Sequence, residues 1–316
     1  MDTYLFKFSA CLAIYWLVYV LLLERQTMHR LKRFYLLGSL VLALVTPQLT
    51  ITQYVEPVVN TTEAPLMEFP GTITIVETPI EANPLFTTEN ILWAIYGLGV
   101  LLFSLRFLLN LFKMYQRISS HKHIVRKSFI YVLLDQCRIP HSFFKYLFFD
   151  KTSFETETIP KEVLLHEETH AKQLHSLDIL ILELLQIVFW FHPLIYILKH
   201  HIKLNHEFLA DEAVLNQGAE AKDYQNLLLQ FSSNAREYQF SSTINYSSFK
   251  KRFTVMKTQT SKTRIWLSTL LLMPIIAILF YSFAERDCVE KEKNKKSFFE
   301  SVISRPLKTV QQSNYQ

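Results

Sequence analysis

Cysteine is nearly absent from this chain, with three residues in 316. Cys11 falls in a long apolar run, Cys137 in a polar middle region and Cys288 near the C-terminal end, so no two are expected to meet. A disulfide framework is thereby excluded. A cysteine-held zinc finger is excluded too, and any metal has to rest on histidine and carboxylate. Glycine is scarce at five residues, whereas Phe and Tyr number 25 and 15. Positive charge is missing from a whole segment, since residues 52–90 hold six Glu and neither Lys nor Arg. Charge of either sign is almost missing from four runs, residues 4–23, 34–51, 91–112 and 265–283.

Each of these runs is long enough to cross a bilayer. Lys7 and Arg106 sit near run ends, where a long side chain reaches the headgroups, and Trp93, Trp266 and Tyr281 sit where an aromatic belt would place them. The first run reads as a retained anchor, because Lys7 is its only basic leader and no small-residue cleavage site precedes Glu24. Residues 24–33 carry Arg25, Arg30, Lys32 and Arg33 against one acid, which places that loop in the cytoplasm and the Glu-rich segment outside. Arg117, Lys122, Arg126 and Lys127 mark a return to the cytoplasm after the third run. The formal charge of +5 therefore reports topology and a lipid bilayer as partner, not nucleic acid. The expected architecture is a mainly α, multi-pass membrane protein with four transmembrane helices. An anchor region, 1–112, would hold three spans (4–23, 34–51, 91–112) and the outer loop 52–90. A cytoplasmic domain, 113–263, would follow, then a fourth span, 264–284, and a short outer tail, 285–316.

Within the cytoplasmic region lies HEETH, at 166–170. Residues four apart share a helix face, so His166 and His170 can offer two nitrogens to one ion with Glu167 beside them. Three fixed positions also arise by chance in a helix rich in His and Glu, and a third ligand has to be found. In the metzincin spacing it would be a His six residues past His170, but Ser176 stands there and Gln173 replaces the expected Gly. That pattern is excluded. EFLAD, at 207–211, offers Glu207 as the third ligand in the gluzincin manner, with Asp211 one turn on to orient a ligand imidazole. Two His and one Glu leave Zn2+ an open position at which water becomes nucleophilic at neutral pH, and Glu167 would take the water's proton. An α+β zinc metalloendopeptidase between the third and fourth spans is expected.

Residues 129–134 and 146–149 read as strands whose open edge either captures a peptide over the metal or belongs to the core alone. Residues 72–77 read as a lone strand in an outer tether. Thr158 is expected to cap a helix over 159–174, with Pro160 in its first turn. The apolar run 177–198 poses a choice, because a single crossing there would put HEETH and Glu207 on opposite sides of the membrane. Asp178, Glu183, the pair His192-Pro193 and the basic residues that follow argue instead for a buried or membrane-lying helix to about Phe191. A second, antiparallel helix would then run from Pro193 to Gly218. His175, His192, His200, His201 and His206 are available to stabilise a tetrahedral intermediate or are ordinary core and surface histidines, and Asp178, Glu168 and Glu212 read as polar helix faces. Tyr224, Leu227, Leu228 and Phe231 form the apolar stripe of an amphipathic helix over 221–240. Lys250, Lys251, Arg252, Lys257, Lys262 and Arg264 read as a basic patch facing anionic lipid heads.

The order of these parts, with WFHPL at 190–194 and EFLADEAVL at 207–215, resembles the BlaR/MecR-type membrane metallopeptidases, the beta-lactam-sensing antirepressor family. The likeness covers residues 1–284. It implies that His166, His170 and Glu207 bind zinc, that Glu167 is the base and Asp211 the supporting acid. It also implies the bacterial cytoplasmic membrane and a protein substrate, such as a helix-turn-helix repressor, without direct nucleic-acid contact. Family members also cut themselves near the last anchor, which here points to 240–253. In that family a penicillin-binding sensor follows the last anchor, whereas about thirty residues follow Phe283 here. The SxxK pairs Ser119/Lys122, Ser142/Lys145 and Ser247/Lys250 lie on the cytoplasmic side without a companion KTG, so drug sensing is not expected. A membrane quality-control protease and a scaffold with a structural metal are the alternatives that stay open, as does a homodimer.

Overall fold

The computed structural model describes residues 2–55, 87–126, 128–135, 137, 139–236 and 243–290. Helix α1 (Asp2–Val18) passes into a π-helical turn, Tyr19–Leu23, and α2 (His29–Val45) returns beside it and ends in a 3-10 turn, Thr46–Gln48. Strand β1 (Thr50–Val55) follows, then the long helix α3 (Thr88–Ser120), whose first turn is capped by the Thr87 hydroxyl accepting from Asn90 N–H.

Among the described residues, three helices are long and apolar enough to cross a membrane: Thr3–Leu23, Thr88–Ser120 and Lys262–Phe283. They contain the first, third and fourth apolar runs. The second run, expected as one span over 34–51, is divided differently: the α-helix stops at Val45, Pro47 sits in the 3-10 turn, and Thr50 and Ile51 already belong to β1. Apolar composition alone does not distinguish the end of a helix from the start of a strand.

After α3 come β2 (Lys122–Arg126), β3 (Phe129–Leu134), β4 (His141–Phe143) and β5 (Tyr146–Asp150), in the spatial order β2-β3-β5-β4 with only β3 and β5 parallel. The two apolar strands stand where they were expected. They are the central pair because Tyr131, Val132, Leu133, Leu147, Phe148 and Phe149 are buried. The edges β2 and β4 escape a hydrophobicity reading, since one is polar and largely exposed and the other is three residues long. Helix α4 (Lys151–Glu155) leads into α5 (Lys161–Lys172), which buries Val163 and Ala171 against Tyr131, Leu147 and Phe149. The expected cap is wrong: the Thr158 hydroxyl donates to Ser153 O at 3.2 Å, closing the preceding turn, and α5 begins only after Pro160.

Helices α6 (His175–Val188) and α7 (Pro193–Asn216) form an antiparallel hairpin, followed by α8 (Ala221–Arg236), α9 (Thr243–Lys257), α10 (Lys262–Phe283) and β6 (Glu285–Glu290). The tip of the hairpin lies between α1 and α3. Phe189 stacks on Phe8 at 4.6 Å, His192 Nε2 is 2.9 Å from Ser9 Oγ, and the Tyr96 hydroxyl donates to Val188 O at 3.1 Å. Phe8 is about 22 Å from the far end of its span at 1.5 Å per residue, about the length of α6, so the hairpin enters among the apolar helices and returns. HEETH and Glu207 consequently emerge at the same end. The charges inside the run are partnered rather than exposed to lipid: Asp178 by Arg33 and His206, Glu183 by Lys199 at 2.6 Å.

The α1–α2 turn is tied to the start of α10 through Thr27 N–H donating to Thr260 Oγ1 at 3.0 Å and through Gln26 to Ser268. At the other end β1 pairs with β6 in parallel, from Thr50↔Glu285 to Val55↔Glu290. The core between them joins Phe8, Leu12 and Tyr15 of α1, Leu36 and Leu40 of α2, and Leu182, Ile195 and Leu198 of the hairpin. The expected strand at 72–77, the tail after Glu290 and the first residues of 240–253 lie outside the described residues.

Candidate metal centre

Helix α5 turns His166 and His170 to one side, with their Nε2 atoms 3.1 Å apart. Helix α7 brings Glu207 to the same point, Oε2 at 3.5 Å from His166 Nε2 and Oε1 at 3.7 Å from His170 Nε2. Among the described residues these three form the one group of His, Cys or acidic side chains whose donor atoms all lie within 4.8 Å of each other. A tetrahedral ion with bonds of about 2.0–2.1 Å needs ligand atoms about 3.3 Å apart. The two imidazole nitrogens stand near that spacing and each has a different Glu207 oxygen at 3.5 or 3.7 Å, so the donor set fits a metal. Glu207 keeps 35% of its side chain exposed against 10% and 14% for the imidazoles, so solvent reaches the cluster on its side.

Both imidazoles are held from behind. His166 Nδ1 lies 2.8 Å from the Tyr224 hydroxyl, which donates to Asp211 Oδ1 at 2.9 Å. Since the phenol gives its proton to the carboxylate, it accepts from His166 Nδ1–H and leaves Nε2 with a free lone pair. His170 Nδ1 lies 2.8 Å from His175 Nδ1, and His175 Nε2 is 3.2 Å from Gln173 Oε1. A carbonyl oxygen only accepts, so His175 carries its proton on Nε2 and takes one from His170 Nδ1–H. The tautomer of His170 is thereby also suited to a metal. A left-handed Leu174 (φ 54°) between α5 and α6 is what folds His175 back onto His170. His175 in turn stacks at 4.0 Å on His206, His206 Nε2 is 2.8 Å from Asp178 Oδ2, and Arg33 of α2 donates to both Asp178 oxygens at 2.7 and 3.1 Å.

Glu167 is buried beside the cluster at 9% exposure. Burial, together with the Glu207 charge, pushes its carboxyl above the usual range against the opposing pull of His166, Ser142 and Arg252. Burial acts in the same direction on Glu207, but the Arg252 charge and both imidazoles hold it well below the usual carboxylate range. Ser142 lies on β4, whose outer edge is unpaired among the described residues.

Three side chains do not play the parts expected of them. Asp178 is no solvated helix face but is buried between Arg33 and His206. Tyr224 is not merely part of an apolar stripe, because its hydroxyl closes the His166 to Asp211 link. Arg252 does not face lipid; it is 7% exposed, with Nε and Nη2 on Asp211 at 2.8 and 2.6 Å and Nη1 on Glu207 at 2.9 Å. Ser176, where the metzincin histidine would stand, accepts from Phe144 N–H at 2.9 Å. Of the other histidines, His192 bonds Ser9 and His201 lies edge-on to Tyr19, on the side of α1. Glu168 accepts from the Tyr131 hydroxyl, and Glu212 is exposed. The residues missed were legible in one respect only: two acids one turn apart on a buried helix require cations, but nothing in the chain says which ones.

Residues 151–256 match the model of the BlaR1 peptidase M56 family. The M56 match spans about a third of the chain, from α4 to α9, and takes in HEETH, Glu207, Asp211, Tyr224 and Arg252 but neither Arg33 nor β4. No curated protein matches the chain. The M56 match indicates a peptidase, and the His-His-Glu cluster inside it makes a metallopeptidase the class that fits both. Three apolar helices beside that region suggest a membrane protein.

Proposed function

We propose that this chain is a zinc endopeptidase at the inner face of a bacterial cytoplasmic membrane, cleaving a regulatory protein in transmembrane signalling. The reading is carried by the convergence of His166, His170 and Glu207, with donor atoms within 4.8 Å of one another, inside the region that matches the M56 peptidases. Zinc held there supplies Lewis-acid polarisation of the scissile carbonyl and makes water a nucleophile near pH 7. Glu167 takes the proton of the attacking water and returns it to the leaving amine nitrogen, a role suited by a carboxyl whose burial raises its basicity. Tyr224 and His175 keep the two imidazoles turned toward the ion. The free edge of β4, packed beside α5, accepts the substrate as an added strand, with Ser142 next to Glu167.

The shared ends of α2 and α10 support α2 as a fourth span, and the basic loop 24–33 supports a cytoplasmic site. A helix-turn-helix repressor is the substrate toward which the family likeness points, with the chain itself as a second target. Comparative proteomics of cells carrying wild type or Glu167→Gln tests the proposal. One discrete fragment that appears only with wild type is expected, while the purified variant retains its zinc. Many unrelated fragments would indicate quality control instead, and a variant with its full biological effect would indicate a scaffold.

A further inference from the structure

We infer that Arg252 is a positioning residue of the metal centre, through which the α9–α10 arm completes the site; the inference rests on the metallopeptidase reading above. Glu207 and Asp211 stand one turn apart on α7, so two carboxylates share one face of a buried helix. Left alone they repel each other, and Glu207 is free to turn away from the imidazoles. Arg252 removes both problems with one planar group. Its Nε and Nη2 grip the two oxygens of Asp211, a fork that fixes the guanidinium plane, and Nη1 then holds Glu207 Oε2 at 2.9 Å. Oε1, the oxygen nearer His170, is left for the ion. A lysine cannot make this contact set, since one ammonium has no fork to bridge two carboxylates in a fixed plane.

The position of Arg252 is set by α9, which packs on α7 and is also held by elements outside α5 and α7. On α9 the adjacent Lys251 pairs with Glu24, just after the π-helical turn, at 2.9 Å. The link from α9 to α10 is anchored by Thr260, which accepts from Thr27 N–H, and the far end of α10 leads into the strand paired with β1. A shift of this arm withdraws Nη1 from Glu207 while the helices bearing the three ligands stay folded. The metal affinity is therefore a property of the membrane arm as well as of the zinc helices.

The test uses the full chain in lipid nanodiscs, as wild type, Arg252→Gln, Arg252→Lys and, as a control at an exposed position on the same helix, Lys250→Gln. Co2+ is titrated in, its visible d–d absorption recorded, and Zn2+ affinity measured by competition with a chromophoric chelator. Wild type and Lys250→Gln are expected to give one tetrahedral Co2+ spectrum. Arg252→Gln should bind about 10–100-fold more weakly with a shifted spectrum, and Arg252→Lys should fold without recovering that spectrum. Wild-type affinity and spectrum in Arg252→Gln would overturn the inference. If that variant does not fold, an unchanged spectrum in Arg252→Lys does so instead. Failure of wild type to bind either ion would overturn the metallopeptidase reading itself, and the role of Arg252 with it.

Discussion

Tyr224 joins His166 to Asp211, its hydroxyl oxygen 2.8 Å from the imidazole Nδ1 and 2.9 Å from the carboxylate Oδ1. Replacing it with phenylalanine keeps the ring and its packing and deletes only this connection. Tyr224→Phe is expected to lower metal affinity about 10–100-fold and to cost about 1–3 kcal/mol of stability, because both former partners remain buried. Chelator competition and thermal unfolding check the two numbers separately. Wild-type values in both would show that the tyrosine only packs.

Arg33 reaches the candidate metal centre through three intermediaries, Asp178, His206 and the stacked His175. Arg33→Gln leaves a carboxylate that is 4% exposed without its guanidinium, and the expected loss is about 3–5 kcal/mol. Adding Asp178→Asn should recover part of that loss, since the uncompensated charge is then gone. A double-mutant cycle by chemical unfolding measures the recovery, and strictly additive losses would refute the coupling.

Gly97 and Gly99 lie two residues apart on α3 but meet different surroundings. A Cβ at Gly99 runs into the Trp190 indole at the hairpin tip, whereas one at Gly97 meets nothing within 4 Å. Gly99→Ala is expected to displace the tip and lower the unfolding temperature in lipid; Gly97→Ala should be neutral or slightly stabilising by raising helix propensity. Equal effects would mean that α3 does not pack on the hairpin.

A fragment of residues 113–263 contains all three candidate ligands but lacks Phe8, Leu12, Tyr15, Leu36 and Leu40, against which the α6–α7 hairpin buries Leu182, Ile195 and Leu198. It also lacks Arg33. Such a fragment is expected to aggregate or to fail in metal binding. A soluble fragment with wild-type zinc affinity would show that the first two helices only anchor the protein.

The elements written in long or strongly periodic patterns were legible before any coordinates. The apolar runs at 4–23, 91–112 and 265–283 fall inside helices, the strand at 129–134 has the expected bounds, and the break at His192-Pro193 divides α6 from α7. Short or compositionally ambiguous pieces were not. Thr50 and Ile51 pass from an apolar run into β1 because a partner strand 235 positions away in the register takes them up, and β4 exists only because β5 lies beside it.

Spacing along the chain determined that His166 and His170 share a helix face and that Glu207 and Asp211 share another, because helical periodicity is a local property of the backbone. Tertiary structure alone decided that the two faces meet, that the intervening hairpin returns to the side it left, and that Tyr224, His175, Arg33 and Arg252 close around the ligands. The reason is one of range: a buried carboxylate or imidazole fixes how much hydrogen bonding and countercharge it requires, but the residue that supplies it comes from wherever the packed helices bring one within 3 Å.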